Sequence, residues 1–358
     1  MSEKKRIGII GFGWVAQANH YQDGYALIPE MAEITAVCDI SDAALEKAKK
    51  MLGLKDEQLF HDYRDLLKSG LVDAVDICTP NDVHCEIAHA AIDAGIPFSI
   101  EKPIGLNYEE AQKLAKHVEE SGIPSFVCFT WRYRPYTRYV RDIIKNGNLG
   151  KIYHIYIYCI KDSGLWKGRR LEWRFDATKG GTGVLGDLGS HMIDITRFWG
   201  EEFAGVFAQW GTYIKTRQRV DSDEWADVTT DDWTNVMGMT KSGIPVTISL
   251  SRCATTVGNL ISFDVYGEKG HLKYTFDDDG QRIEACLGEL DMEGKGMHTL
   301  VPPARYAANQ SKSFVDMLNG QKDEYTSELI QGMECQRVLE AAEVSAREGR
   351  YVNIDDIG

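Results

Sequence analysis

The sequence IGIIGFGWVA, residues 7–16, decides the fold of the first half of this 358-residue chain. The apolar run Ile7–Ile10 predicts a buried strand, and the pattern G-x-G-x-x-A follows it in Gly11-Phe12-Gly13-Trp14-Val15-Ala16. The first glycine permits a tight turn, the second lets a pyrophosphate approach the backbone, and the small Ala16 allows a helix to pack closely on the strand. N–H groups at the start of that helix would bind the phosphates. Such a glycine turn is common, so a dinucleotide site needs a second signal.

The second signal is Asp39, which follows the next β-like run, residues 34–38. In dinucleotide-binding folds an acidic residue at this point accepts hydrogen bonds from the adenosine ribose hydroxyls. A carboxylate would also repel the 2′-phosphate of NADP, so the pattern predicts NAD as the cofactor. The alternative is an ordinary aspartate at an exposed strand end, which leaves the coincidence of position unexplained.

Strand and helix patterns alternate from there to residue 129, which predicts a parallel, doubly wound sheet and an NAD-binding domain at residues 1–129. Ligands of such sheets bind at the carboxyl ends of the strands. Five residues fall at or just past strand ends and are predicted to contact the cofactor: Thr79, Pro80, Asn81, Glu101 and Lys102. His84 lies in the first turn of a predicted helix, residues 83–94, where it either contacts the cofactor or only packs the helix start.

Lys102 follows a buried-looking strand, residues 97–100, and precedes Pro103, which stiffens the turn. An ammonium group held at the nicotinamide end of the site could bind a substrate hydroxyl and stabilise a developing alkoxide. The alternative is a surface lysine in a turn, without a part in catalysis.

A second motif is GGTGVLGDLGSHMID, residues 180–194, which runs into an apolar helical continuation. A helix that starts near Leu185 places Asp187, His191 and Asp194 on one face, with apolar residues opposite. A carboxylate one turn from a histidine can fix its tautomer and raise its basicity, as a general base requires. The alternatives are side chains that satisfy each other in the core, or a shared metal. No cluster of further cysteine or histidine ligands lies nearby, so no metal is predicted.

From Lys151 the apolar pattern changes from helical to alternating, and further strand-like runs follow one another without helices between them. Consecutive strands predict an antiparallel sheet and a substrate-binding domain at residues 130–358. Ahead of the glycine-rich motif, Trp166 and Trp173 could stack on the apolar face of a sugar ring. Arg169, Arg170 or Arg174 could donate to its hydroxyls. The alternative for this segment is a surface loop or a subunit contact. The acidic run 221–232 is predicted to be a solvated loop.

Composition and charge exclude some classes of function. The formal net charge is −14, whereas nucleic acids and anionic membranes attract basic surfaces, so neither is a predicted partner. The same charge disfavours a highly anionic substrate unless a local basic site overrides it. The eight cysteines are scattered without a C-x-x-C spacing, which indicates reduced thiols in a cytoplasmic protein. No apolar run approaches the length of a membrane span.

The motifs GFGWVA, Asp39, DAVDICTPNDVH, EKP and GGTGVLGDLGSHMID together resemble those of the glucose–fructose oxidoreductase/inositol dehydrogenase (Gfo/Idh/MocA) family, in order and over nearly the whole chain. The resemblance implies that the EKP lysine and the D-x-x-x-H pair, here Lys102, Asp187 and His191, form the catalytic group. It implies an N-terminal Rossmann domain, a C-terminal α+β domain with a large open, mostly antiparallel sheet, and a homo-oligomer (dimer or tetramer) formed through that sheet. One departure is Thr130, where many members carry asparagine, so a substrate role there stays open.

These features predict an NAD-dependent oxidoreductase that oxidises a secondary hydroxyl of a sugar, a glycoside (for example at C3) or an inositol. His191 would take the hydroxyl proton, Lys102 would hold the oxygen, and Asp187 would orient the site. Two alternatives follow from the resemblance. One is an NAD-dependent glycosidase that works by transient oxidation and elimination. The other is a non-catalytic NAD-binding regulator, which can dispense with the lysine and histidine that this chain has.

Overall fold

The computed structural model describes residues 3–294 and 296–358. The chain divides into two compact units. The first contains Met1–Thr130 and Ala308–Glu334, and the second contains Trp131–Ala307 and Cys335–Gly358.

Six strands form the sheet of the first unit: β1 (Lys5–Ile10), β2 (Ala32–Cys38), β3 (Leu59–Phe60), β4 (Ala74–Ile77), β5 (Phe98–Ile100) and β6 (Ser125–Val127). They lie in the order β3-β2-β1-β4-β5-β6, and every pairing is parallel. The predicted doubly wound sheet is therefore confirmed. The order reverses between β1 and β4, which puts the carboxyl ends of these two strands side by side at the point where such sheets bind ligands.

Four helices connect these strands: α1 (Asp42–Leu52), α2 (Tyr63–Lys68), α3 (His84–Asp93) and α4 (Tyr108–Ser121). The first, second and fourth begin after Ser41, Asp62 and Asn107, whose side chains accept hydrogen bonds from backbone N–H groups of the first turn. The glycine turn after β1 leads into a π-helical turn, Ala16–Gln22, where the sequence predicts an ordinary helix.

Among the described residues, four α-helices lie wholly within the second unit: α5 (Pro135–Lys145), α6 (Ala177–Gly180), α7 (Ser190–Phe198) and α8 (Glu289–Gly294). The strands of this unit are β7 (Ile152–Lys161), β8 (Phe203–Gly211), β9 (Thr216–Gln218), β10 (Trp225–Asp227), β11 (Trp233–Thr240), β12 (Pro245–Ser251), β13 (Asn259–Gly267), β14 (Gly270–Asp277), β15 (Gly280–Leu287), β16 (His298–Leu300) and β17 (Val352–Asn353).

Nine of these strands form one sheet in the order β16-β15-β14-β13-β7-β12-β11-β8-β17, and β9 pairs with β10 in a separate hairpin. Within the large sheet only β7 and β12 run parallel; the other pairings are antiparallel. The predicted large, mostly antiparallel sheet is confirmed. Buried and exposed residues alternate along β11, so one face of the sheet is covered and the other is open.

Residues 308–334 contain helix α9 (Gln310–Leu318), and the division at residues 334 and 335 falls within helix α10 (Leu329–Glu348). The sequence assigns this segment to the second domain, but it packs with the first unit. The side chain of Asn309 donates to the carbonyl oxygen of Gly24 at 3.0 Å, and the N–H of Val127 in β6 donates to Ser327 at 2.8 Å. These hydrogen bonds join residues 200 or more positions apart, which no local pattern reveals.

None of the helices in the described part of the chain has the length and apolar character that a membrane crossing requires.

Candidate active site

The glycine turn after β1 has the close backbone approach that a dinucleotide site requires. Gly11 has a φ of 88°, and a Cβ added to it would lie 2.8 Å from the carbonyl carbon of Cys78, just after β4. Only glycine fits at this position. Gly13 is exposed, and a Cβ there would meet no atom within 4 Å, whereas Ala16 is fully buried. The backbone at Gly13 is therefore open to a phosphate, and Ala16 allows close packing, as the motif predicts.

Asp39 is fixed beside this turn. The N–H of Phe12 donates to Oδ2 of Asp39 at 2.7 Å, and the N–H of Ser41 donates to Oδ1 at 2.9 Å. The ring of Phe12 is buried, so only its backbone can face a ligand, while Trp14 is 73% exposed and Val15 is half-buried. The carboxylate thus stands next to the phosphate-binding turn, where an NAD ribose is expected. Contact of these residues with the cofactor stays a prediction.

The segment after β4 presents a polar atom that fits a bound cofactor. Oγ1 of Thr79 is buried and has no hydrogen-bond partner within the described residues. Its neighbours in the predicted set, Pro80 and Asn81, are half-buried and buried, respectively. A buried hydroxyl without a partner is costly, so a ligand that bonds to it would be favoured. Together with the open backbone at Gly13, Thr79 supports the prediction that NAD binds at this edge of the sheet.

His84 connects two of the predicted cofactor loops. Its Nδ1 lies 2.9 Å from the carbonyl oxygen of Pro103, and its Nε2 lies 2.8 Å from that of Thr79. Burial lowers the pKa of His84, so the neutral ring donates to one of these carbonyls at a time. The observed role of His84 is to brace the loop after β5 against the end of β4, which favours the packing alternative. A direct contact with the cofactor stays a prediction.

Lys102 lies in that loop, is half-buried, and forms a cis peptide bond with Pro103. Its backbone N–H donates to Oε2 of Glu101 at 3.2 Å. The position of Lys102 at the carboxyl end of β5 agrees with the sequence prediction. Glu101, by contrast, cannot direct both carboxylate oxygens toward a ligand, because Oε1 forms a hydrogen bond in the interior.

Sequence reasoning missed the partner of Glu101, which is His20 in the π-helical turn. Nε2 of His20 lies 2.8 Å from Oε1 of Glu101, and Nδ1 lies 2.7 Å from Oδ2 of Asp76 in β4. Burial alone would lower the pKa of His20, but the charge of Asp76 and neighbouring groups raise it well above its usual value. The protonated ring therefore donates to both carboxylates and ties the residue before Lys102 to the sheet. These partners lie 56 and 81 positions away in the sequence, so no local signal marks His20.

The sulfur atoms of Cys78 and Cys128 lie close enough to His20 and its carboxylates to make two groups of possible metal ligands in the described part of the chain. Both ring nitrogens of His20 already form hydrogen bonds with carboxylates. These hydrogen bonds account for the cluster without an ion.

In the second unit, Asp231 holds the glycine-rich segment that leads to α7. Its carboxylate accepts hydrogen bonds from the N–H of Gly183 at 2.5 Å, the N–H of Leu185 at 3.0 Å and the hydroxyl of Thr234 at 2.7 Å. A Cβ on Gly183 would lie only 2.0 Å from the carbonyl oxygen of Asp231, so glycine is required there. Asp231 and Asp232 are buried, which corrects the prediction of a solvated loop at this end of the acidic run. The reason is that N–H groups at a helix start need acceptors.

Asp187 and His191 rise from consecutive turns of this segment. Asp187 lies in a π-helical turn, Leu185–Gly189, and His191 lies in the first turn of α7; both are half-buried. The predicted apolar side is buried, at Leu185, Leu188, Met192 and Trp199. The second unit thus places this pair on one stretch with a polar side and an apolar side. Lys102 belongs to the first unit, so its meeting with Asp187 and His191 stays a prediction.

Asp194, the third titratable residue of the motif, agrees with the alternative in which the side chain is satisfied within the core. It is fully buried and receives two hydrogen bonds from the guanidinium of Arg132, one of them 2.8 Å from Nε to Oδ2. Arg132 is 3% exposed. A bidentate pair of this kind satisfies both charges inside the unit. Asp194 therefore anchors α7 and does not serve the site.

Trp173 and Arg174 lie on a short 3₁₀ turn and are both half-buried. The guanidinium carbon of Arg174 lies 4.2 Å from the ring centroid of Trp173, so the arginine covers one face of the indole. The cleft beside Asp187 is lined by other described residues, namely Lys161, Ser163, Arg169, Leu188 and Arg252. Contact of Trp173 and Arg174 with a sugar stays a prediction.

Comparison with known proteins agrees with this geometry. Residues 5–129 match the family model described as an oxidoreductase family with an NAD-binding Rossmann fold, and residues 137–273 match the GFO/IDH/MocA C-terminal domain. Glucose-6-phosphate 3-dehydrogenase of Bacillus subtilis is 30% identical over 273 residues, which cover 75% of this chain and 74% of the relative. Levoglucosan dehydrogenase of Pseudarthrobacter phenanthrenivorans is 26% identical over 290 residues, which cover 76% of this chain and 73% of the relative.

A crystal structure of an oxidoreductase domain protein from Kribbella flavida has the same fold, with a TM-score of 0.88 at 28% identity over 99% of this chain and 100% of that one. The predicted family and the predicted NAD cofactor are confirmed. The chain belongs to the Gfo/Idh/MocA family of oxidoreductases, with an NAD-binding Rossmann fold in its first unit.

Proposed function

We propose that this protein is an NAD-dependent dehydrogenase that oxidises a secondary hydroxyl of a sugar, a glycoside (for example at C3) or an inositol. The observation that carries the proposal is that Asp187 and His191 lie one turn apart and half-buried on an otherwise buried segment, in a chain that also carries Lys102 at the end of a Rossmann strand. The names of the two relatives, a levoglucosan dehydrogenase and a glucose-6-phosphate 3-dehydrogenase, support a carbohydrate substrate.

Each of the three side chains has a distinct role in this proposal. His191 accepts the proton of the substrate hydroxyl as the C–H bond of the same carbon breaks. Lys102 donates a hydrogen bond to the substrate oxygen and stabilises the negative charge that develops there. Asp187, one turn before the histidine, orients the site and raises the basicity of the ring through its negative charge. NAD held at the Gly11–Gly13 turn and Asp39 would supply the acceptor for the hydride, so that the alcohol would become a ketone and one proton would be left on His191.

The surroundings of these residues support the roles. His20 holds Glu101 and so limits the movement of the backbone next to Lys102. Asp231 performs the same task for the turn before Asp187. Rigid support of this kind is what a catalytic group needs, since small errors of position cost large factors in rate.

We further propose a homo-oligomer formed through the open face of the large sheet. Large apolar side chains are exposed there, at Tyr156 and Tyr158 of β7 and at Met237 and Met239 of β11. Tyr156 and Met237 lie in one cross-strand row, since both are in register with Thr247 of β12. An exposed apolar surface in the middle of a sheet is typical of an interface, and a second copy of the same face would cover it symmetrically. Analytical ultracentrifugation should show a dimer or tetramer; a monomer at micromolar concentration would rule this out.

The state of the cysteines supports a proposal about the cellular compartment. All eight cysteines are free, and five of the residues are buried in strands or helices. In oxidising compartments, proteins commonly use their cysteines to form disulfide bonds. We therefore infer a cytoplasmic enzyme.

The test of the proposed activity is a panel of inositols, monosaccharides and glycosides incubated with NAD, in which NADH formation and aglycone release are read together. The proposal predicts NADH with at least one compound and no release of aglycone. Release of aglycone without net NADH would instead support the glycosidase, and NAD binding with neither product would support the regulator. Lys102→Met should abolish the signal, whereas Lys113→Met, which changes an exposed lysine paired with Glu109 on α4, should retain it.

A further inference from the structure

The cleft beside Asp187 has an unusual lining for a chain with a net charge of −14. Three of the six residues that line it are basic: Lys161, Arg169 and Arg252. The remaining three are Ser163, Asp187 and Leu188. The cleft therefore offers many hydrogen-bond donors and one carboxylate, within a single unit of the structure.

Arg252 is the basic side chain of this cleft that has a buried hydrogen-bond donor without an acceptor among the described residues. It is 4% exposed, and its Nη2 is buried without a hydrogen-bond partner among the described residues. Its guanidinium carbon lies 5.1 Å from the ring centroid of the buried Phe175, and its carbonyl oxygen accepts from the N–H of Gly164 at 2.7 Å. Contacts of its guanidinium group and of its backbone therefore fix Arg252 in place, while Nη2 has no acceptor among the described residues. A buried charged donor without an acceptor is costly, and an anion that reaches it would remove that cost.

Two further arginines share the same aromatic ring. The guanidinium carbon of Arg217 lies 4.2 Å, and that of Arg169 lies 4.9 Å, from the ring centroid of Phe175. Arg217 is buried, its Nε has no partner in the described part of the chain, and its Nη2 donates to the carbonyl oxygen of Gly164 at 2.6 Å. Burial, together with the charges of Arg169 and Arg252, lowers the pKa of Arg217 despite the nearby Asp232. Positive charges are therefore crowded around Phe175.

The acidic groups nearby offset this charge only in part. Glu172 contacts Arg169 at 3.3 Å, and its side chain is partly exposed, where solvent weakens the pair. Oδ2 of Asp232 accepts from the N–H groups of Tyr213 and Ile214, so that oxygen is directed to the backbone. Asp187 is the third carboxylate, and the buried Asp231, whose charge interacts with that of Arg252, is the fourth; its oxygens accept from Gly183, Leu185 and Thr234. In the lining of the cleft itself, the three basic groups of Lys161, Arg169 and Arg252 stand against the single carboxylate of Asp187, which leaves an excess of positive charge there.

We propose that this cleft binds an anionic substituent, a phosphate monoester or a carboxylate, carried by the carbohydrate that is oxidised beside Asp187. Arginine forks and a lysine match the several oxygens of such groups, and a hydroxyl of Ser163 adds a neutral donor. Asp187, at the same cleft, accepts from sugar hydroxyls and would repel the anion, which sets the orientation of the substrate. This inference rests on the proposed function for the identity of the substrate, but the anion site itself does not depend on catalysis.

The first experiment measures anion binding without any substrate. Inorganic phosphate, added at constant ionic strength against sodium chloride, should raise the thermal unfolding midpoint of the protein in a saturable way. Arg252→Gln and Lys161→Gln should each weaken the apparent affinity about tenfold, since each removes a charge-assisted contact. Arg219→Gln is the matched control, because it removes an exposed arginine two residues beyond Arg217 and should leave the affinity unchanged. If Arg252→Gln does not fold, Lys161→Gln, in a half-buried position, carries the test.

The second experiment compares glucose, glucose 6-phosphate and glucuronate as substrates with NAD. A ratio of kcat/KM of about tenfold or more in favour of an anionic sugar supports the site, and the preferred arm distinguishes phosphate from carboxylate. Arg252→Gln should reduce that ratio about tenfold, and Arg219→Gln should keep it. Oxidation of glucose as fast as that of both anionic sugars would overturn the anion site and leave the proposed function standing. Saturable phosphate binding that Arg252→Gln removes, without oxidation of any carbohydrate, would keep the site and overturn the function. Absence of phosphate protection in the unaltered protein would overturn the site.

Discussion

The buried pair of Arg132 and Asp194 makes a prediction that separates structure from catalysis within one motif. Asp194 is three residues after His191, and sequence patterning places it on the same polar stripe. The structure instead directs its carboxylate to Arg132, which is almost as deeply buried. Asp194→Asn leaves the arginine charged, buried and without its anionic partner.

The magnitude follows from that burial. Removal of one member of a buried ion pair costs about 3–5 kcal/mol, whereas replacement of both members by apolar residues of similar volume is close to neutral. For a unit of about 200 residues, each kcal/mol corresponds to about 2–4 °C in the unfolding midpoint, so Asp194→Asn should lower the midpoint by about 6–20 °C. The double variant Arg132→Met/Asp194→Leu should recover most of that loss.

The assay is thermal unfolding followed by circular dichroism for the three proteins, with NADH formation measured well below their midpoints. The folded double variant should retain hydride transfer, because neither residue touches the reacting atoms. Two results would refute the reasoning. One is an unfolding midpoint for Asp194→Asn equal to that of the unaltered protein. The other is a double variant that is stable but has lost activity, which would mean that Asp194 takes part in catalysis.

Three further predictions follow from the site. His191→Ala should lower kcat about 10²- to 10⁴-fold while NAD binding, measured by fluorescence titration, is retained; equal loss of both would show that His191 acts through folding. Asp39→Ser should raise the ratio of kcat/KM for NADP over NAD about tenfold or more, because a like charge no longer faces the 2′-phosphate, and an unchanged ratio would mean that Asp39 lies away from the ribose. Because the pKa of His20 is raised in the folded protein, its contribution to stability is full below about pH 6.5 and is lost as the pH rises toward the folded pKa, by at most about 1.4 kcal/mol per pH unit. The difference in free energy of unfolding between the unaltered protein and His20→Gln, measured by urea titration from pH 6 to 8, should therefore shrink with rising pH; a constant difference would mean that His20 is neutral in the folded state.

Local sequence patterns predicted most of the fold. The strand, the glycine turn and the helical turn around Gly11 lie within 18 consecutive residues, 5–22, so one local stretch of sequence predicts all three. The alternation of β7 and β11 likewise reports one covered and one open face directly. The strand β15 was not predicted, because Gln281, Arg282 and Glu284 interrupt its apolar pattern. It forms because β14 and β16 pair with it on both sides.

The supports of the site could not be predicted in the same way. Gly183 and its acceptor Asp231 are 48 positions apart, and Asp194 and Arg132 are 62 apart. In the sequence, an aspartate within an acidic run has the same appearance whether it is solvated or accepts hydrogen bonds from the N–H groups at the start of a helix. The difference is decided by which N–H groups the folded chain brings to it. The spacing of the motifs therefore predicted the candidate catalytic residues, but it did not predict the residues that position them through hydrogen bonds.

The central claim is that Lys102 and His191 act on the same substrate oxygen. The most direct measurement is a crystal structure of the protein with NAD and a slowly oxidised carbohydrate. We predict that Nζ of Lys102 and a ring nitrogen of His191 both lie within about 3.2 Å of one substrate hydroxyl oxygen. A complex in which either group is beyond the reach of that oxygen, with the substrate ordered beside the nicotinamide, would contradict it.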